Sequence, residues 1–296
     1  MFLLPANICY IVPLTFIKAN VAYEFVDINK ETLCVEEDLV INKIAQKPDY
    51  YIGVFFNHTY GTEYNPAIFF RKLRELNERL LIVQDKCLCR PSLESPENFD
   101  ADLILHSTGY SKYLDLGFGG YGFIRSDFPY RLHKTGYDQP IEHEVDKKLK
   151  RYIETNTCIN KTIAKEKWLN TNELPTTIHD YIEKISNSLP IIDEHKSIIN
   201  NIYRTEFPKE IQFPTCFQSW RFNIIIKNKK YYLKKIFENG LFASSHYPDL
   251  AKHFDDTRCV NAKDLHANVI NLFNDKYITV AQASELSHII RDLSTS

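Results

Sequence analysis

The N-terminal part of the chain alternates short apolar segments with a helical pattern, and this alternation constrains the fold more than any other feature of the sequence. Segments 22–27 and 50–56 are apolar and rich in residues that favour β-strands. Between residues 66 and 79 apolar side chains recur at helical spacing, and the apolar run 80–83 follows directly. A strand, a helix and a strand in this order predict a βαβ unit with parallel strands.

The later segments complete a two-part organisation. Candidate strands at 101–107 and 119–124 extend the α/β pattern, and charged helices are predicted at 142–156, 180–189 and 193–203. After Pro214 the pattern is mixed, with a strand predicted at 217–226, a helix at 227–239 that Gly240 ends, and a last helix from about Thr279 to Leu293.

We therefore expect two domains in the 296 residues. The larger, residues 1–188, has an α/β fold with a mostly parallel central sheet flanked by helices. The smaller, residues 189–296, is an α+β C-terminal domain.

Composition and charge exclude several classes of partner. The formal net charge is −2 with acidic and basic residues interspersed, so no basic face predicts nucleic-acid or membrane binding. The apolar stretch 1–17 lacks the basic start and the cleavage site of a secretory signal, and no segment has about 18 uninterrupted apolar residues. Seven irregularly spaced cysteines favour reduced thiols, so we expect a cytoplasmic protein. The close pair Cys87 and Cys89 lacks a second ligand pair, so we predict no metal.

Polar side chains follow three of the predicted strands. Asp85 comes directly after the run 80–84, His58 follows 50–56 after one residue, and Ser107 ends 101–107. Ligands of open α/β sheets bind beyond the carboxyl ends of the strands. We therefore expect these three side chains to face one crevice.

A glycine-rich segment with one lysine follows Ser107. Five of the nine glycines of the chain lie between residues 109 and 122, and Lys112 stands among them. Clustered glycines indicate a sharp turn or a close approach of the backbone to another group. On this evidence alone, a cofactor lysine and an exposed lysine in a tight turn are both open.

The combination of carboxylate, hydroxyl and lysine is what pyridoxal 5'-phosphate (PLP) requires. A carboxylate such as Asp85 keeps the ring nitrogen of the cofactor protonated. A desolvated lysine such as Lys112 is needed as nucleophile and proton carrier. A hydroxyl such as that of Ser107 donates to the phosphate.

Several motifs resemble those of the DegT/StrS family of sugar aminotransferases. LIVQDKCLC resembles the segment that carries the family's aspartate, and STGYSKYLDLGFGG resembles the segment that carries its serine, lysine and glycines. The segments LLPANICY, FFNHTYG and GLFASSHYPDL resemble further family segments. The resemblance implies a fold-type I PLP enzyme that acts as a homodimer. It also implies transfer of an amino group from a donor, commonly glutamate, to a nucleotide-linked keto sugar for surface polysaccharide synthesis.

By the resemblance, Lys112 is the catalytic lysine, and Asp85 and Ser107 bind the cofactor. Cys9 stands where the family has an aromatic residue against the ring, and the adjacent Tyr10 is an alternative.

Three further residues are candidates for substrate binding, namely His58, Arg221 and His246. For His58 and Arg221 a structural role on a strand is an open alternative. Relative to the family pattern the chain begins at the proline-bearing strand, without the family's Gly-Thr turn at the phosphate. A catalytically degenerate homologue that serves as a scaffold or binds sugar nucleotides is therefore the second hypothesis.

Overall fold

A computed structural model describes residues 1–96, 100–131, 147–148, 151–152, 155, 176–255 and 259–295. The strands in this part of the chain are β1 (Phe2–Pro5), β2 (Tyr23–Val26), β3 (Gly53–Asn57), β4 (Leu81–Asp85), β5 (Leu103–Ser107), β6 (Gly120–Ile124), β7 (Phe222–Ile225), β8 (Ala243–Ser244) and β9 (Val269–Leu272). The helices are α1 (Ile11–Lys18), α2 (Glu37–Gln46), α3 (Ala67–Leu76), α4 (Ile178–Glu206), α5 (Lys229–Glu238), α6 (Leu250–Asp255), α7 (Val260–Asn268) and α8 (Val280–Thr295).

The first six strands form one sheet in the order β2-β1-β3-β4-β5-β6. Every neighbouring pair from β2 to β5 is parallel, and β6 pairs antiparallel with β5. The predicted fold is confirmed in this respect, including the βαβ unit of β3, α3 and β4. Helices α1 and α2 were not predicted from the sequence, whereas β1, which ends at Pro5, is the proline-bearing strand that the family resemblance implied.

The two faces of this sheet are covered by different parts of the chain, because side chains alternate along each strand. Leu3, Val54 and Ile82 lie on one face and pack against α2 and α3. Phe55 and Val83 lie on the other face, in a core that includes residues of the C-terminal half. The second face is therefore the one that packs against the C-terminal half of the chain.

Helix α4 replaces the two helices predicted at 180–189 and 193–203, and that prediction was wrong in splitting them. Pro190 lies inside the helix, and the side chain of Thr177 accepts a bond from the amide of Asp180 at its start. Buried residues recur at helical spacing on both sides of the proline, and their packing outweighs its cost. Residue 188, the predicted domain boundary, lies within α4; the division itself stays a prediction.

A second sheet, β7-β9-β8, is antiparallel throughout. It packs with α4, α5 and α8 around a core that includes Phe222, Ile236 and Ile270. The helices predicted at 227–239 and at about 279–293 are confirmed, and Gly240 has the positive φ of 72° expected at a helix end. Most of the helix predicted at 142–156 lies outside the described residues.

Every helix in the described ranges is too short or too polar to cross a lipid bilayer.

Two glycines of the loop after β5 allow a matched stability test. Both have positive φ, 77° at Gly117 and 91° at Gly119. A Cβ atom on Gly119 would lie 2.6 Å from the Tyr181 hydroxyl, whereas a Cβ on Gly117 would meet nothing within 4 Å. We expect Gly117→Ala to lower the free energy of unfolding by about 1 kcal/mol through backbone strain, and Gly119→Ala by about 3 kcal/mol because the contact with α4 is also disrupted. Urea unfolding of both variants measures the difference, and equal losses would contradict the packing role of Gly119.

Candidate active site

Asp85 and Ser107 lie on the face of the six-stranded sheet that packs against the C-terminal half of the chain. Asp85 is the last residue of β4 and pairs with Leu105 of β5, so Ser107 stands two residues further along the neighbouring strand on the same face. One oxygen of Asp85 accepts the amide of Cys87 at 2.8 Å. The hydroxyl of Ser107 accepts the amide of Gly109 at 3.3 Å and donates to the carbonyl of Gly119 at 3.5 Å. A carboxylate and a hydroxyl thus share one edge of the sheet.

Lys112 lies in the loop between β5 and β6, and hydrogen bonds fix the residues on either side of it. Asp115 accepts the amides of Ser111 and Gly117, each at 2.8 Å, and Ser111 has a left-handed φ of 61°. The Tyr113 hydroxyl donates to Asp193 of α4 at 2.7 Å. Among the described residues, the Lys112 ammonium has no hydrogen-bond or ion-pair partner. A rigid loop therefore carries a lysine whose amine is available to a ligand.

Trp220 and Arg221, directly before β7, bind the same loop through Ser111 and form a clamp on it. The indole N–H of Trp220 donates to the carbonyl of Ser111 at 2.8 Å. The Arg221 guanidinium donates to the hydroxyls of Ser111 and Ser244. It is sandwiched between the rings of Trp220 and Phe273, at 4.4 and 3.9 Å from their centroids, and burial lowers its pKa to about 10. Arg221 thus binds the loop that positions Lys112. This contact is a structural role, which the sequence left open as the alternative to substrate binding by Arg221.

The charges of both predicted cofactor residues, Asp85 and Lys112, affect the pKa of the Cys87 thiol. Burial raises the pKa of Cys87 well above its usual value, the Asp85 carboxylate raises it further, and the charge of Lys112 lowers it. Both charges thus act on the same thiol, next to Asp85 at the end of β4. That Asp85 and Lys112 face a common cofactor stays a prediction.

Tyr247 lies near Cys9, Arg221 and Asp85. Burial raises the pKa of its phenol well above the usual value, Cys9 raises it further, Arg221 lowers it and Asp85 raises it. Its ring stacks with those of Tyr60 and Trp220, at centroid distances of 6.4 and 6.1 Å. Cys9 and Asp85 are therefore on the same side of the sheet as the clamp.

The other predicted residues lie in different positions. His58 is on the opposite face of the sheet with Gln84, which is the neighbour of Asp85 in β4. The His246 ring contacts Trp220 edge-on at 5.7 Å, and its amide donates to Asn271 at 2.6 Å. Tyr10 precedes α1 and is partly buried against the core on the face that packs against the C-terminal half of the chain. The substrate role of His58 stays a prediction, but its side chain does not join Asp85 and Lys112.

Sequence reasoning missed Cys87, Ser111, Trp220 and Tyr247. Two of them carried a usable signal, because Cys87 is two residues beyond Asp85 and Tyr247 follows the predicted His246. The positions of Ser111 and Trp220 depend on a contact between residues 109 apart in the chain. Nothing local in the sequence indicates that contact.

The chemistry of these donors fits PLP. Asp85 accepts the amide of Cys87, and a carboxylate has further lone pairs that can accept a protonated ring nitrogen. Lys112 offers an amine without another partner in the described part of the chain. The Ser107 hydroxyl, at the end of β5, is a donor suited to a phosphate.

Several solved structures with this fold are of PLP-dependent enzymes, some of them named for sugar substrates. A Streptococcus pneumoniae protein assigned as a sugar aminotransferase, in its PMP form, matches with a TM-score of 0.71 and 14% identity, over 99% of this chain and 81% of that one. A DegT DnrJ EryC1 StrS aminotransferase from Brucella abortus matches with a TM-score of 0.66 and 13% identity, over 100% and 80%. The E. coli GDP-4-keto-6-deoxy-D-mannose-3-dehydratase with bound hydrated PLP matches with a TM-score of 0.62 and 14% identity, over 97% and 79%.

These matches confirm the predicted fold-type I architecture. No family model and no curated protein matches the sequence. The similarity is therefore one of fold.

Lys196 of α4 contacts Trp220, so the pH dependence of stability tests this part of the clamp. Its ammonium donates to the carbonyl of Trp220 at 2.9 Å and to Asn274 at 2.7 Å. Burial lowers its pKa from 10.5 to about 7. Between these two values the unfolded chain holds more protons than the folded one, so the free energy of unfolding rises with pH, by at most about 1.4 kcal/mol per pH unit.

Between pH 7 and 8.5 we expect the free energy of unfolding of the wild type to rise with pH. We expect Lys196→Met to lose this rise. Urea unfolding at several pH values measures it, because the difference between the two proteins cancels the other titrating groups. The exposed Lys30 gives the control, and Lys30→Met should keep the wild-type slope. Parallel curves for the wild type and Lys196→Met would contradict a buried amine at this position.

Proposed function

We propose that this chain is a PLP-dependent aminotransferase that transfers an amino group from glutamate to a nucleotide-linked keto sugar. The observation that carries the proposal is that Asp85 and Ser107 share one face at the carboxyl edge of β4 and β5, and that Lys112 lies in the loop that follows Ser107. The fold supports it, because proteins with the same fold are assigned as sugar aminotransferases. The name of the E. coli relative, which includes a GDP-linked keto sugar, supports the substrate class.

Each site residue has a distinct task in this proposal. When bound, PLP supplies an electron sink for the electron pair released at the substrate carbon. Asp85 holds the proton on the ring nitrogen, Lys112 holds the cofactor and moves a proton at the amino-bearing carbon, and Ser107 binds the phosphate. Trp220 and Arg221 orient Lys112 by fixing Ser111. Cys9 and Tyr247 close the side of the site that faces the small domain.

The remaining parts of the proposal concern the context of the reaction. We infer a homodimer and a role in surface polysaccharide synthesis, in keeping with the family that the motifs resemble. Amino donors and sugar nucleotides are both anionic or polar, and the site offers Lys112 and neighbouring hydroxyls rather than an extended apolar surface.

Lys112 gives the most direct test of the proposed function. We expect the purified protein to bind PLP with a visible absorption band, and borohydride to attach the cofactor to Lys112, as located by peptide mass spectrometry. Lys112→Ala should lose the attachment and about 10²- to 10⁴-fold of the rate, because the proton carrier is gone.

Lys86 provides the matched control. Like Lys112 it is half-buried, and it directly follows the end of β4. Lys86→Ala should keep both the absorption band and the attachment at Lys112. A wild-type protein that stays colourless with excess PLP would reject the proposal and favour a catalytically degenerate scaffold or sugar-nucleotide-binding protein. Attachment at a lysine other than Lys112 would reject the site assignment.

A further inference from the structure

A cavity of about 480 Å³ lies at the carboxyl edge of β3, β4 and β5, on the face of the sheet opposite Asp85. Gln84 and His106 line it, because they alternate with Asp85 and Ser107 along β4 and β5. Its volume is within the range of small-molecule sites. The proposed function makes no use of this cavity.

His58 is held at the base of the cavity as a neutral ring. Its Nδ1–H donates to the carbonyl of Thr62 at 2.9 Å, so its Nε2 accepts the amide of Gln84 at 2.8 Å. Burial lowers the pKa of His58 to about 3. With its nitrogen committed to His58, Gln84 retains its side-chain carbonyl as an acceptor for a ligand hydroxyl.

His106 presents a donor to the same cavity. Its side chain is 5% exposed and stacks on Tyr121 at 5.1 Å. Its Nδ1 is sealed from solvent and has no hydrogen-bond partner among the described residues. A proton on Nδ1 would be buried without an acceptor, so the hydrogen belongs on Nε2, the nitrogen that is not sealed. Burial lowers the pKa of His106 to about 4, which keeps the ring neutral.

Lys86 adds a positive charge that is in no ion pair within the described part of the chain. Its ammonium makes no hydrogen bond or ion pair within the described part of the chain, yet it lowers the pKa of both His58 and His106. Arg90 on the rim is paired with Asp193 at 2.8 Å, and Glu63 on the rim is exposed. The cavity therefore combines an ammonium that is in no ion pair with an imidazole N–H donor, and its rim carries the Glu63 carboxylate.

We propose that this cavity binds a small oxyanion, a carboxylate or a phosphate monoester, through the ammonium of Lys86 and Nε2–H of His106. Such an anion satisfies both donors and neutralises the Lys86 charge. The Gln84 carbonyl accepts a hydroxyl group of the ligand where one is present. The site is separate from the proposed PLP site and does not depend on its assignment.

The test follows the ring signals of His106 by NMR in the full chain with ¹⁵N-labelled histidine. We expect inorganic phosphate to shift the Nε2 signal of His106 with saturation at millimolar concentration, and Lys86→Gln to weaken this binding at least about tenfold. Acetate is titrated in parallel. A shift with acetate as well marks carboxylates as ligands, and a shift with phosphate alone marks phosphate monoesters; either supports the proposal.

Two control variants separate this site from other anion binding. Lys30→Gln, at an exposed lysine, and Ser107→Ala, in the proposed cofactor site, should both keep the wild-type response. The proposal is overturned if neither anion shifts His106 at concentrations up to about 50 mM. It is also overturned if Lys86→Gln responds like the wild type, or if Ser107→Ala abolishes the shift.

Discussion

The alternation of side chains along two neighbouring parallel strands is the constraint on which the rest of the structure depends. The register of β4 and β5 places Asp85 and Ser107 on one face and Gln84 and His106 on the other. A one-residue slip would exchange these two sets. The buried residues on both faces, Ile82 and Val83 among them, prevent such a slip because each is fully packed in its own core.

The second requirement is a rigid loop for Lys112. Asp115 fixes the loop from within, and Trp220 and Arg221 fix it from the C-terminal half of the chain. An uncompensated buried guanidinium is costly, and here hydroxyl groups and two aromatic rings surround it. The two parts of the chain are thus coupled at the residue that precedes the proposed catalytic lysine.

Much of this arrangement was predictable from the sequence. The runs that became β3, β4 and β5 are apolar and bounded by polar residues, so the sheet and the polar groups at its edge follow from composition. Strand β1 was indicated only by the family resemblance, as its proline-bearing strand, and not by an apolar pattern of its own. The face on which His58 lies was not anticipated, since a position at a strand end does not specify direction. The partners of Ser111 and Arg221 depend on distant contacts that local patterns do not encode.

The central claim is that Asp85 and Lys112 face the same cofactor ring. It is tested most directly by NMR of the protein loaded with PLP labelled with ¹⁵N at the ring nitrogen. We predict the chemical shift of a protonated ring nitrogen in the wild type at neutral pH, and loss of that proton in Asp85→Asn. A ring nitrogen with the same protonation state in both proteins would contradict the claim.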